Sequence, residues 1–277
     1  MLVLGAGGLV GRAVLRAAGG VRAPGAAVGA TVHGEAAGHT WIGVDRAACD
    51  VTDPAARAAA LAAHRPDAVL FCAGFTDVDA AASHPAAEAA NVHAPAAWAR
   101  EVETWFLSSN FVFSGPGPHG PAEAPRPESA YGRQKIAAEA AVLEAGGHVV
   151  RVGWVYGPGG RTFASTLEAR LRAGQRVRAI HDLVVQPTHA DDLAAALLAL
   201  PRGVTHLVGR DETTWYGYAL AIQAEIGRGT VEPVRAADLG LGPRPRDGRL
   251  APADLPGCWS RNGLRAGTTD RDVVSDK

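Results

Sequence analysis

The sequence predicts an α/β fold built on a doubly wound parallel sheet, and two observations carry that prediction. Short apolar runs alternate with alanine-rich helical segments from Leu2 to Val155, the pattern of repeated strand–helix–strand units. The first run, Leu2-Val3-Leu4, passes straight into Gly5-Ala6-Gly7-Gly8-Leu9-Val10-Gly11, a glycine turn at the first strand–helix junction.

The elements follow in order. A helix is expected from Arg12 to Ala18, then a weak second strand from Ala27 to Val32. Pro54 to His64 reads as a helix ahead of a buried strand, Asp67 to Ala73. Pro85 to Val102 reads as a helix interrupted near Pro95. A strand from Thr104 ends in Ser108-Ser109, and Pro116 to Pro127 is a Pro/Gly-rich loop. Ser129 is placed to cap a helix running to Ala145, and His148 to Val155 is one further buried strand. After Gly157 the pattern changes. Helices are expected at Phe163 to Ala173, Asp191 to Leu200 and Tyr216 to Ile226, with strands at Val177 to Ile180 and Val204 to Val208. Little regular structure is expected beyond Gly240, and 263–277 reads as a disordered tail.

Composition excludes several classes. The 277 residues carry a net charge of −1, with 47% hydrophobic and 20% charged residues, which argues against nucleic acid or an anionic membrane as partner. No apolar run reaches the roughly 20 residues of a membrane helix, and no basic segment precedes the first strand, so a cytoplasmic protein is expected. Cys49, Cys72 and Cys258 form no Cys-x-x-Cys pair, which argues against a zinc site or disulfide framework. Of the 27 lysines and arginines, only Lys135 and Lys277 are lysines. An interior lysine in such a chain marks a place where a guanidinium would not serve.

Gly5, Gly8 and Gly11 fit Gly-x-x-Gly-x-x-Gly at the junction where a pyrophosphate can sit on free backbone N–H groups. The acidic residue usual after the second strand is not evident, His33 and Glu35 being the candidates. Arg12 is placed to meet a 2′-phosphate, which tilts the expectation to NADPH, with NADH the alternative. A solvated helix-face charge explains Arg12 equally well.

Tyr131-Gly132-Arg133-Gln134-Lys135 sets a phenol and an ammonium on one helix face. A nearby cation favours phenolate, so Tyr131 can exchange a proton with a carbonyl oxygen, and Lys135 can also hold ribose hydroxyls. Ser108 and Ser109 close a strand at its carboxyl end, where ligands of parallel sheets bind; a hydroxyl there can polarise a carbonyl. Of the rest, His181, Asp182, His189, Asp191 and Asp192 read as loop and cap residues, Asp191 as an N-cap. Trp215, Tyr216 and Tyr218 read as packing, while Arg244 and Arg246 are either diphosphate contacts or a solvated loop.

These residues resemble the extended short-chain dehydrogenase/reductases, and more narrowly the dTDP-4-dehydrorhamnose reductase family of nucleotide-sugar ketoreductases. Further motifs line up in order: Cys49-Asp50-Val51-Thr52-Asp53, Ala73-Gly74-Phe75-Thr76, Ala90-Asn91, Ser108-Ser109-Asn110-Phe111-Val112-Phe113, Arg151-Val152-Gly153-Trp154 and Gln186-Pro187-Thr188. The resemblance implies a Rossmann-type NAD(P)-binding domain over 1–157, to which 186–208 returns, and a smaller C-terminal α/β substrate lobe from 158–185 and 209–262. It implies Ser109, Tyr131 and Lys135 as the catalytic set; the acids of a Mg²⁺-dependent dimer contact are not recognisable in this chain, so no metal is expected. Cofactor contacts would come from Gly5, Gly8, Leu9, Val10, Gly11, Asp50, Val51, Ala73, Gly74, Thr76, Tyr131 and Lys135. Ser109, Asn110 and Trp154 would meet the substrate, and a homodimer stays open.

The family commonly writes Ser-Thr-Asp-Tyr-Val-Phe where this chain has Ser108-Ser109-Asn110-Phe111-Val112-Phe113, which removes a carboxylate and a phenol from the substrate side. The expectation is a ketoreductase whose deoxysugar or nucleoside-like substrate is altered, in secondary metabolism. Two alternatives stand beside it: an NAD-retaining epimerase, and a cofactor-binding regulatory or scaffold subunit.

Overall fold

The computed structural model describes residues 1–20, 31–159 and 162–253. Cys258, the tail 263–277 and most of the expected second strand lie outside the described residues. The amino-terminal half contains β1 (Leu2–Leu4), α1 (Leu9–Ala17), β2 (Val32–Ala36), β3 (His39–Val44), α2 (Pro54–His64), β4 (Ala68–Phe71), α3 (Pro85–Glu88), α4 (Ala94–Ala99) and β5 (Glu103–Ser109). There follow α5 (Ala130–Glu144), β6 (His148–Val152), β7 (Trp154–Tyr156), α6 (Phe163–Arg172), β8 (Arg176–Ile180), β9 (Val184–Val185), β10 (Pro187–His189) and α7 (Ala190–Leu197). The last are β11 (Val204–Leu207), β12 (Thr213–Thr214), α8 (Trp215–Ile226) and β13 (Thr230–Val234).

The central sheet has seven strands in the order β2-β3-β1-β4-β5-β6-β11. All its pairings are parallel except the edge hairpin β2–β3. Its inner strands are apolar on both faces, because each face is covered. Val3, Leu70, Trp105 and Val150 pack with Val14 and Leu15 of α1 and Leu193 and Leu197 of α7. Leu2, Leu4, Val69, Phe71 and Phe106 pack on the other side with Ala60 of α2, Trp98 of α4, and Ala138 and Val142 of α5. A separate cluster joins Leu167 and Leu171 of α6, Val177 and Ala179 of β8, and Tyr218 and Ile222 of α8.

Four local expectations are corrected. The strand beside β1 is His39–Val44, not Ala27 to Val32; Trp41, Ile42 and Val44 supply its buried or half-buried side chains. The run His148 to Val155 is two strands, because the chain leaves the main sheet at Gly153 and Trp154–Tyr156 pairs with β10 instead. The helix after Pro85 contains a π segment, Ala89–His93, just before Pro95. Helix α7 is capped by His189, whose Nδ1 accepts from the Asp191 amide, while Asp191 sits in the first turn and pairs with Arg16 at 2.7 Å.

His206 on β11 is buried beside Arg151, and burial first, then that guanidinium, push its pKa down from 6.5 to about 4. Between those two values the unfolded chain binds a proton that the folded chain refuses, so stability is lost as pH falls through that window. The full loss is ~3 kcal/mol. Urea midpoints at pH 7 and pH 4.5 are therefore expected to lie closer together in His206→Gln than in the wild type. An unchanged gap would place the acid sensitivity elsewhere.

Candidate active site

A cavity of ≈ 930 Å³ lies over the carboxyl ends of β1, β4 and β5 and continues to β7, β9 and α8. Its floor at one end is the glycine turn. Gly5 has φ +80°, and a Cβ there would come within 2.8 Å of the Ala73 amide nitrogen, so only glycine lets β1 and β4 end side by side here. Gly5, Gly7, Gly8, Leu9 and Val10 line the cavity, whereas Gly11 does not. Gly11 lies beneath the turn, where a Cβ would sit 2.5 Å from the Gly5 carbonyl oxygen.

Helix α1 starts at Gly8 with no side-chain cap and no acidic residue in its first turn. Its leading N–H groups are thus left for an anion. Asp50, Val51, Ala73, Gly74 and Thr76 line the same end of the cavity. Thr52 donates to Asp50 through its hydroxyl at 2.7 Å and its amide at 3.0 Å, which holds the Asp50 carboxyl below the usual range.

Correcting the second strand also relocates the residue that ends it. Asp45 directly follows β3 and lies beside the glycine turn, its Cβ 3.3 Å from where a Gly7 Cβ would stand. Its Oδ1 accepts from the Ala47 and Ala48 amides at 3.0 and 3.2 Å. His33 and Glu35 belong instead to the edge strand β2 and do not line the cavity. Arg46 and Arg12 both line it; Arg12 Nε donates to the Gly7 carbonyl at 2.7 Å, and Arg46 lies 3.4 Å from Asp50. Arg46 was hidden from the sequence reading, although the Trp41-Ile42-Gly43-Val44 run bounded by Gly38 was the available signal.

The centre of the cavity is formed by β5 and α5. Ser129 caps α5 by accepting from the Gly132 amide at 3.0 Å. Gly132 allows that first turn to rest on the Phe111 carbonyl, which a Cβ would strike. This contact brings Tyr131 against the end of β5, edge-on to Phe111 with ring centroids 5.6 Å apart. The Ser109 hydroxyl accepts from the Phe111 amide at 3.2 Å and lies near enough to the Tyr131 phenol to act on its pKa. Lys135 Nζ donates to the Leu107 carbonyl at 3.0 Å and stands 5.7 Å from the Tyr131 ring centroid.

The electrostatics differ from expectation here. Burial dominates and raises the Tyr131 pKa to about 12, with the neighbouring Ser109 hydroxyl opposing it. Burial also lowers Lys135 to about 8, opposed by Glu139 and then Cys72. The phenol is thus a proton-loaded group at neutral pH, not a phenolate prepared by the lysine.

Asn91, in the π segment and fully buried, clamps the loop over this site. Its Oδ1 accepts from the Phe75 amide at 2.9 Å, and its Nδ2 donates to the Phe75 carbonyl and to Gln134 Oε1, both at 3.0 Å. Asn110 lines the cavity, but its Nδ2 is committed to the Gly248 carbonyl at 2.8 Å and its Oδ1 accepts from Ser109 at 3.3 Å. Asn110 thus fastens the 247–250 segment to the end of β5 while it lines the cavity.

At the far end Trp154 and Trp215 pack in a tilted pair with centroids 4.2 Å apart, and both line the cavity with Leu183, Val184 and Val185. Tyr218 is fully buried packing. Arg244 reaches the cavity while paired with Asp79 at 2.6 Å, whereas Arg246 is exposed and does not line it. Among the described residues no helix is long and apolar enough to cross a membrane.

Comparison with known proteins agrees with this architecture. The family model described as the RmlD substrate binding domain matches residues 1–255. A dTDP-4-dehydrorhamnose reductase of Mycobacterium tuberculosis is 36% identical over 238 residues, 78% of this chain and 76% of that protein. A dTDP-4-keto-6-deoxy-D-glucose reductase of Streptomyces niveus is 31% identical over 250 residues, 84% and 81%. The crystal structure of a dTDP-4-dehydrorhamnose reductase from Bacillus anthracis, in complex with NADP, superposes with a TM-score of 0.79 at 22% identity, covering 91% of this chain and 90% of that one. By the extent of the family match and the identity to these relatives, the chain belongs to the RmlD substrate-binding-domain family of Rossmann-type oxidoreductases.

Proposed function

We propose that the protein is an NADPH-dependent ketoreductase acting on a nucleotide-linked deoxysugar ketone. The observation that carries this reading is the convergence of Ser109, Tyr131 and Lys135 on one cavity that also contains the glycine turn. The cofactor fits the residues present. The uncapped start of α1 offers N–H donors to a pyrophosphate, and Arg12 and Arg46 offer guanidiniums to a 2′-phosphate. When bound, it supplies the hydride that reaches the carbonyl carbon.

The protein's own part is positioning and proton transfer. Ser109 donates to the carbonyl oxygen and fixes its direction. Tyr131, held as phenol, delivers its proton to that oxygen as negative charge grows there. Lys135 places positive charge behind the phenol and stabilises the phenolate left after transfer. The paired Trp154 and Trp215 and the aliphatic Leu183–Val185 wall keep water from the reacting carbon. Two regions support a division of labour: cofactor residues lie on the sheet ending at β11, and the outer wall comes from β7, β9 and α8.

The reading is tested by titrating the protein with NADPH and NADH and following fluorescence. NADPH is expected to bind in the micromolar range. Arg46→Ala is expected to weaken NADPH roughly tenfold, the loss of one charge-assisted contact of ~1.5 kcal/mol, and to leave NADH within twofold. Failure of both dinucleotides to bind would sink the reductase reading.

A further inference from the structure

Tyr131, Lys135 and Glu139 are spaced by four along α5 and share one face. The first two line the cavity; Glu139 does not, and it is 3% exposed behind them. Its carboxylate accepts from Ser108 Oγ at 2.5 Å. It also receives a bidentate guanidinium from Arg151, with Nη2 to Oε2 at 2.7 Å and Nε to the two oxygens at 3.0 and 3.2 Å. Ser108 and Arg151 face each other in register on β5 and β6. One buried carboxylate therefore ties the catalytic helix to the two strands beneath it.

The groups around this cluster leave few other charges. Lys135 Nζ faces the Phe106 ring at 4.5 Å, the Tyr131 ring, the Leu107 carbonyl, and Cys72 beyond β4. Burial keeps the Cys72 thiol protonated, with its pKa at about 12. Among the described residues Glu139 is the one carboxylate acting on Lys135. On its far side Arg151 faces the Phe113 ring at 5.0 Å, the Pro121 carbonyl, and His206, which is neutral above about pH 4. The buried charges are thus Lys135 positive, Glu139 negative and Arg151 positive.

We propose that Glu139 is a positioning residue for the reaction: it keeps the Lys135 ammonium charged, and through Ser108 it fixes the strand end that presents Ser109. Arg151 is the bidentate partner that orients the Glu139 carboxylate in turn. The arrangement explains why an acid lies one turn beyond the lysine, on the side away from the ligand. Without Glu139 two buried cations would face each other with no counter-charge. Arginine does not give up its proton in proteins, so the lysine would. The importance of this device rests on the ketoreductase reading, but its test does not.

The chain contains only two lysines, so protein labelled with 13C at lysine Cε gives two NMR signals, and Lys277→Arg assigns them. In the wild type the Lys135 signal is expected to titrate near pH 8, far below that of Lys277. In Glu139→Gln its midpoint is expected to fall by a pH unit or more, a tenfold or greater rise in acidity. In Arg151→Met it is expected to rise, because Glu139 then serves the lysine alone. In the double variant, which keeps the wild-type sum of charges, it is expected to return towards the wild-type value. A loss of packing alone would not reverse sign in this way. If Glu139→Gln fails to fold, Arg151→Met and the double variant still decide. Midpoints that ignore these substitutions overturn the proposal. Where NADPH-dependent reduction is measurable, the basic limb of kcat should move with the NMR midpoint. Absence of that activity would count against the reductase reading and leave the titration readable.

Discussion

Tyr131→Phe is expected to lower kcat for ketone reduction by roughly 10²–10⁴, the usual worth of a positioned general acid, while the dissociation constant for NADPH stays within a few-fold. The split follows from geometry. Tyr131 lines the cavity together with Ser109, whereas its ring packs on Phe111 and on the Ala81–Ala87 side of the loop. Phenylalanine keeps the ring and removes only the proton source. Because burial holds the Tyr131 pKa at about 12, the phenol stays protonated across the neutral range. Loss of its proton therefore contributes no limb to the wild-type profile below about pH 11. Steady-state kinetics with a matched dinucleotide titration checks both halves. A variant that turns over at the wild-type rate would remove Tyr131 from the proton path.

Gly11→Ala is expected to damage both fold and cofactor binding. A methyl group at this position would meet the Gly5 carbonyl oxygen at 2.5 Å and the Ala6 Cα at 2.8 Å. Both are backbone atoms, and the Gly5 carbonyl is already tied to the Gly8 amide at 2.9 Å, so relief requires the turn itself to move. Overpacking of this kind costs ~1–3 kcal/mol. The displaced turn would no longer align the leading amides of α1, and NADPH affinity should fall more than tenfold. Thermal unfolding and fluorescence titration read the two effects separately. Unchanged values in both would show that the turn tolerates displacement.

The parts of this molecule written in local pattern were legible in the sequence. The glycine turn, the Tyr131–Lys135 pair and the Ser108–Ser109 strand end each depend on neighbours within a few residues, and the cavity brings all of them together. Asp53 and Ser129 cap α2 and α5 through their own side chains, again a local signal. What the sequence hid depends on distant partners. β3 follows a two-residue hairpin turn and takes its place from pairing with β1, forty positions earlier. Its misplacement concealed Asp45 and Arg46. The tie from Asn110 to the Gly248 carbonyl was not legible, because that carbonyl lies 138 residues away. The expected lowering of the Tyr131 pKa was lost because spacing reveals a nearby cation but not the depth of burial, which dominates here. Glu139 looks like one more helix-face acid until Arg151 and Ser108 are seen to converge on it.

The most direct test of the central claim is the nicotinamide absorbance of NADPH when the protein meets a dTDP-linked 4-keto-6-deoxysugar, with Tyr131→Phe measured alongside. The account predicts substrate-dependent loss of the NADPH signal with stoichiometric formation of the alcohol. Tyr131→Phe is predicted to be slower by at least a hundredfold despite binding NADPH. Tight NADPH binding with no oxidation by this ketone, or oxidation that Tyr131→Phe supports equally well, would contradict it.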